Sequence, residues 1–155
     1  MPNRQLTELL NKNHINFQTI KHSPAYTAHE IAQAAHIPGK WLAKTVIIKL
    51  DGKLAMLVLT ASDKINFSLL ENEIGKHIEL ASEKDFQNQF PECELGAMPP
   101  FGNLYKLSVY VDEKLTKDED IAFNAGNHTE LLRLKYKDFE KLVHPILCHA
   151  SETKH

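Results

Sequence analysis

Apolar residues fall into short runs along the chain, and the breaks between runs separate helices from strands. Leu6, Leu9 and Leu10 make one helical stripe behind Asn3, a residue type suited to capping a first turn. Ile15-Asn16-Phe17 begins an alternating, strand-like stretch that ends near His22, and Pro24 breaks the chain. Thr27-Ala28-His29-Glu30 has capping-box spacing and predicts a helix through about Ala35. Pro38-Gly39 then turns the chain towards Thr45-Val46-Ile47-Ile48, a run apolar on both faces. Such a run predicts a central strand buried on both sides. Asp51-Gly52 separates Val46–Leu50 from Leu54–Leu59, which predicts a tight hairpin.

Further on, Leu69, Leu70 and Ile74 suggest a short helix stopped by Gly75, and His77–Ala81 a brief strand. Ser82, with Asp85 three residues on, opens a helix that Pro91 closes. Cys93 to Asn103 is the least regular stretch. Leu107, Val109 and Val111 alternate as in a half-buried strand. Two more strands are expected at Ile121-Ala122-Phe123 and Leu131-Leu132, around an Asn124–His128 turn. Phe139, Leu142 and Val143 mark a last helix, Pro145 ends it, and a frayed tail follows from His149. The sum is one α+β domain with a mostly antiparallel sheet, residues 1–147, and a tail, residues 148–155.

Composition narrows the class. A chain of 155 residues, 43% hydrophobic and 25% charged, has the balance of one globular domain with a real core. No apolar stretch is long enough to span a bilayer, and no basic-then-apolar leader opens the chain. Two cysteines, Cys93 and Cys148, give no disulfide framework. The expected location is therefore the reducing cytoplasm, with no membrane partner. Net charge is −2, which argues against a protein that coats long nucleic acid, DNA included. What remains is a short nucleic-acid end gripped by a local basic patch, or a neutral small molecule.

Three features carry candidate chemistry. Lys44 stands at the mouth of the predicted central strand and shares a face with Val46, Ile48 and Leu50. It reads either as a strand-end lysine with its head in water or as a cation waiting for an anionic ligand. Gly96-Ala97-Met98-Pro99-Pro100-Phe101-Gly102 is a proline-stiffened loop. Its bare amides suit an oxyanion or a carboxylate; its turn chemistry equally suits a rigid connection. Asn124-Ala125-Gly126-Asn127-His128 adds a flexible glycine and a histidine able to orient a substrate, move a proton or bond locally. His22, His29 and His36 recur every seven residues, a spacing of ~10 Å along a helix and too far for one ion. No metal and no cofactor are expected. The chain has no nucleophile elbow and no nucleotide fingerprint.

Together these segments resemble the YbaK family, the aminoacyl-tRNA deacylases related to the editing domain inserted in bacterial prolyl-tRNA synthetase. The resemblance runs from about His22 to Pro145. It rests on His22-Ser23-Pro24-Ala25-Tyr26-Thr27, Ala43-Lys44-Thr45-Val46, Gly96–Gly102 and Asn124–His128 in that order. It implies a free-standing editing domain whose mostly antiparallel, partly barrel-like sheet is surrounded by helices. It implies hydrolysis, in trans, of the ester that joins a wrong amino acid to the tRNA 3′ end. The family's lysine maps to Lys44, and its glycine loop, with Gly96 and Ala97 as catalytic amides, maps to Gly96–Pro100. Tyr26, Met98, Pro99, Gly126 and His128 are the implied substrate contacts. Some relatives place an aspartate shortly after the second glycine turn; here that stretch is Thr129-Glu130-Leu131. The implied partners are aminoacyl-tRNA and a synthetase. Two other readings stay open: a module that binds a tRNA end without chemistry, and a protein for a small ester or free metabolite.

Overall fold

The computed structural model describes residues 4–25, 27–86, 88–90, 93–94 and 96–151. The first helix, α1 (Arg4–Lys12), turns Leu6 and Leu10 wholly inward. Each buried leucine stabilises the fold by about 1.5–3 kcal/mol relative to exposure. After β1 (Phe17–Lys21), Thr27 caps α2 (Ala28–Ala35). Its Oγ1 accepts from the Glu30 amide at 3.2 Å and donates to Glu30 Oε1 at 2.9 Å, so the expected cap forms with Glu30 bonded to the capping hydroxyl. His36 ends α2 in the left-handed region, at φ 56°.

The expected hairpin is β2 (Ala43–Leu50) and β3 (Lys53–Thr60), in register from Ala43↔Thr60 to Leu50↔Lys53. Asp51 and Gly52 both take positive φ, 49° and 87°, the primed turn that matches strand twist. Next come α3 (Phe67–Ile74), stopped by Gly75, then β4 (Ile78–Leu80) and α4 (Glu83–Phe86). The helix expected from Ser82 to Pro91 is thus a single turn. Asp85 Oδ2 accepts from both the Ser82 amide and its hydroxyl at 2.8 Å, which starts that turn without extending it. The remaining elements are β5 (Val109–Asp112), β6 (Asp120–Asn124), β7 (Glu130–Lys135), α5 (Tyr136–Val143) and β8 (Ile146–Cys148).

Two sheets result. One is antiparallel, ordered β1-β7-β6; the other is mixed, ordered β4-β2-β3-β5-β8, with β3–β5 and β5–β8 parallel. Among the described residues one parallel bridge, Leu42↔Ala122, joins them. The α+β class and the antiparallel majority hold, but the described strands do not close into a barrel.

β2 is interior to its sheet and apolar on both sides. Ala43 and Ile47 enter the main core with Met56, Val58 and Phe123. Ile48 and Leu50 enter a second cluster with Leu57, Leu59 and Leu70, and Val46 packs against it. Lys44 therefore opens a face that turns apolar immediately behind it.

The tail does not fray at His149. β8 pairs in parallel with β5, and Cys148, Ala150 and Ser151 are all buried. Nothing local announces this, because the partners of β8 lie some forty residues upstream.

Candidate active site

Lys44, Gly96 and His128, scattered in sequence, line one cleft of about 210 Å³. α2 contributes Ala28 and Ile31 to its wall, and β2 contributes Ala43, Lys44 and Thr45. The opposite wall is Gly96, Asn124 and His128.

The position of Lys44 follows from β2, and its aim follows from the loop after β3. Lys44 Nζ donates to the Asp63 carbonyl oxygen at 2.6 Å. An ammonium carries three N–H donors, so two remain for a ligand. Burial pushes the Lys44 pKa down, and the nearby Asp63 carboxylate pulls it back up. The head group is thus a half-buried cation, held in place and facing the hollow.

The opposite wall is knitted from backbone. The Glu94 amide donates to the Gly126 carbonyl at 2.8 Å, and the Gly126 amide donates to the Ala97 carbonyl at 3.0 Å. These bonds zip the two glycine segments together. Gly126 meets this geometry at φ 101°, a conformation that disfavours any side chain. Ala97 is fully buried, and its own amide donates to the Glu94 carbonyl at 3.0 Å. Its role is therefore to shape the turn that presents Gly96. Gly96 has φ 82°, and a Cβ built there would meet His128 Cε1 at 3.7 Å.

His128 is fixed by its neighbours. Asn127 Oδ1 accepts from the Thr129 amide at 2.9 Å and from its hydroxyl at 3.1 Å, an Asx turn wrapped around the histidine. The His128 side chain is 17% exposed, with Nε2 4.0 Å from Glu94 Oε2. Glu130, at the place where some relatives carry aspartate, is buried and accepts from Asn127 Nδ2 at 3.2 Å. It supports the turn from behind rather than lining the cleft.

Met98 and Pro99 lie away from the hollow. Both are buried, Met98 in the main core beside Phe101. They stiffen the loop from inside. Tyr26 lies outside the described residues. Cys93 packs on the main core with Sγ 3.5 Å from the Tyr105 hydroxyl, and Cys148 lies in the second cluster. Burial first, then Asp112 and Glu73, push the Cys148 thiol up to about 12, so it is no nucleophile near neutrality.

Two site residues escaped the sequence reading. Asn124 Oδ1 is buried at the cleft wall with no hydrogen-bond partner among the described residues. An unpaired buried carbonyl costs about 1–3 kcal/mol, which a ligand donor would recover. Its one signal was its place at a strand end beside a glycine turn. Asp63 had no signal, because the carbonyl that Lys44 bonds is one that every residue possesses. A second hollow of about 420 Å³ adjoins the cleft across Ala28, lined also by His29, Gln33, Gly39 and Ser62.

Residues 22–142 match the aminoacyl-tRNA editing domain. The chain belongs to that family. This is the YbaK family of the resemblance, met over nearly the expected span. Relatives of the editing-domain chain are distant but match over most of their length. It is 28% identical to the prolyl-tRNA editing protein ProX of Acetoanaerobium sticklandii, over 83% of this chain and 82% of that protein. It is 26% identical to the multifunctional Ser/Thr-tRNA deacylase ProXp-y of Escherichia coli K12, over 97% and 93%. Among solved structures, a candidate trans-editing enzyme for prolyl tRNA synthetase superposes with a TM-score of 0.81 at 18% identity, covering 97% of this chain and 96% of that one. Hypothetical protein APE2540 superposes at 0.84, also at 18% identity, covering 96% and 100%. Among the described residues, no helix is long and apolar enough to cross a membrane.

Proposed function

We propose that this cleft hydrolyses the ester bond of mischarged tRNA in trans, with Lys44 as its essential cation. The observation that carries the reading is the convergence of Lys44, Gly96 and His128 on one hollow. Family membership supports the same activity. Water attacks the ester carbonyl carbon, the bond to the ribose oxygen breaks, and that oxygen takes a proton. Lys44 polarises the ester or neutralises the terminal phosphate as a fixed point charge. The Gly96 backbone lies against the reacting carbonyl. Asn124 Oδ1 accepts from the aminoacyl group, whose ammonium or hydroxyl is a suitable donor.

Cleft size supports a small acyl group. Drug-sized pockets run to ~300–1,000 Å³, so a cleft of about 210 Å³ is matched to a small acyl group. The hollow beyond Ala28 is where the terminal nucleoside rests. Alanine and the hydroxyl amino acids are the substrates to test first, the latter because Asn124 offers an acceptor. A cytoplasmic site of action and an associated synthetase complete the proposal, and Tyr26, just before the α2 cap, is its remaining pocket contact.

A panel of misacylated tRNAs tests it. Substoichiometric protein should release free amino acid, and Lys44→Ala should remove that activity by ~10²–10³-fold while the fold persists. Binding without turnover would instead identify a tRNA-end module. Turnover of small esters alone, insensitive to salt, would identify the metabolite reading.

A further inference from the structure

We propose that the C-terminal segment 146–151 is a positioning strap for Lys44, acting through Asp63. The inference rests on the reading of Lys44 given above. The Asp63 carbonyl that receives Lys44 Nζ belongs to a loop with no regular structure over residues 63–66. Besides the turn bond from the Asp63 amide to the Thr60 carbonyl at 2.9 Å, two kinds of contact hold that loop. At its far end the Asn66 amide donates to the Ala150 carbonyl at 2.7 Å. At its near end the Asp63 carboxylate accepts from Lys114 Nζ at 2.7 Å, and Ser151 Oγ lies 3.3 Å from the same Oδ2. Ser151 Oγ also reaches Asp112 Oδ2 at 2.6 Å, while Asp112 Oδ1 accepts from the Lys114 amide at 3.1 Å. The serine proton serves one carboxylate at a time, so the serine couples two acids across one cation.

Burial stiffens the inner half of this network, while the Lys114–Asp63 pair is partly exposed. Asp112 is 1% exposed and Ser151 7%. Such groups hold their geometry because losing a partner leaves a buried charge unpaired. Released, the loop would carry the Asp63 carbonyl away and let the ammonium swing. A displacement of ~1 Å at a reacting group costs ~10²-fold in rate, so partial release should cost about 10-fold.

The groups facing Lys44 set the sign of the test. Asp63 faces it from the loop, with Lys114 and Asp112 behind; His128 faces it across the cleft, with Glu94 beyond. Removing the Asp63 charge lets Lys44 lose its proton at lower pH. Removing the Lys114 charge leaves the Asp63 carboxylate unopposed and does the reverse.

The experiment measures deacylation against pH, and titrates Lys44 by NMR of its side chain, in folded Asp63→Asn, Lys114→Met and Ser151→Ala proteins. Asp63→Asn should move the alkaline limb and the Lys44 midpoint down, and Lys114→Met should move both up. Ser151→Ala should lower kcat about 10-fold with KM little changed, and Ser151→Thr, which keeps the hydroxyl, should restore it. Wild-type kcat in Ser151→Ala, or limbs that stay in place in Asp63→Asn and Lys114→Met, would overturn the strap. Wild-type turnover in Lys44→Ala would overturn the underlying reading instead.

Discussion

The two walls of the cleft are built on opposite principles. The Lys44 wall is an ammonium on a strand, aimed by a chain of charged side chains that ends at Ser151. The Gly96 wall is two glycine turns joined by backbone hydrogen bonds between Glu94, Ala97 and Gly126. A side-chain network adjusts to pH and fails when one partner is removed. A backbone network ignores pH and fails when a Cβ intrudes. One site therefore has two independent weaknesses, and each has its own diagnostic.

The largest effect should come from the charged wall. Lys44→Arg keeps the charge but replaces a compact ammonium with a planar, bulkier guanidinium. Deacylation should fall about 10²-fold, with melting temperature little changed. Activity equal to wild type would mean that any cation suffices, and the contrast between the walls would lose its sharper half. On the other wall, Gly96→Val places a branched side chain beside His128 Cε1 at a φ of 82°. Turnover should drop at least ~10-fold, since a substrate-facing glycine tolerates no bulk. If the valine variant turns over normally, the loop does not face substrate.

A smaller effect separates scaffold from chemistry. Gly126→Ala forces a side chain into φ 101° and should destabilise the fold by about 1–2 kcal/mol, read as a lowered denaturant midpoint. The Lys44 midpoint, read by NMR, should stay in place, because no charged group of the Lys44 wall has moved. A shifted Lys44 midpoint would join the two walls into one network.

The smallest effect concerns the strap. His149 lies between Glu73 and Glu113, with Nδ1 2.9 Å from Glu73 Oε2. The hydrogen bond and charge of Glu73, aided by Glu113, raise the His149 pKa. A raised folded pKa stabilises the fold fully below the unfolded value of ~6.5, and that contribution fades as pH climbs through the folded value. Melting temperature should therefore decline slightly above about pH 6.5 in wild type, and this slope should vanish in His149→Gln. An identical slope in both proteins would remove His149 from the account.

Much of the fold was legible because its signals are local. Asp51-Gly52 dictates a hairpin through positive φ, Thr27 and Glu30 cap a helix three residues apart, and Gly75 stops one. Lys44 was legible for a related reason: a cation opening a doubly apolar strand is conspicuous in the sequence itself. β8 was not, since parallel pairing with β5 draws on residues far upstream and needs no pattern of its own. Met98 and Pro99 read as pocket residues because a stiff loop near a site resembles a lining. Which of its faces turns inward depends on the core around Phe101.

By itself, the amino-acid sequence determined the order of most elements up to α5, the α+β class, the central strand and the family. Periodicity, caps and turn residues act over a few positions, and motif order is a property of the chain. Only tertiary structure decided that Ala97 supports Gly96, that Asn124 enters the cleft, that the sheets stay open, and that a carbonyl at Asp63 aims the lysine. Those outcomes depend on backbone groups common to every residue and on contacts between segments distant in the chain, and neither leaves a mark on residue identity.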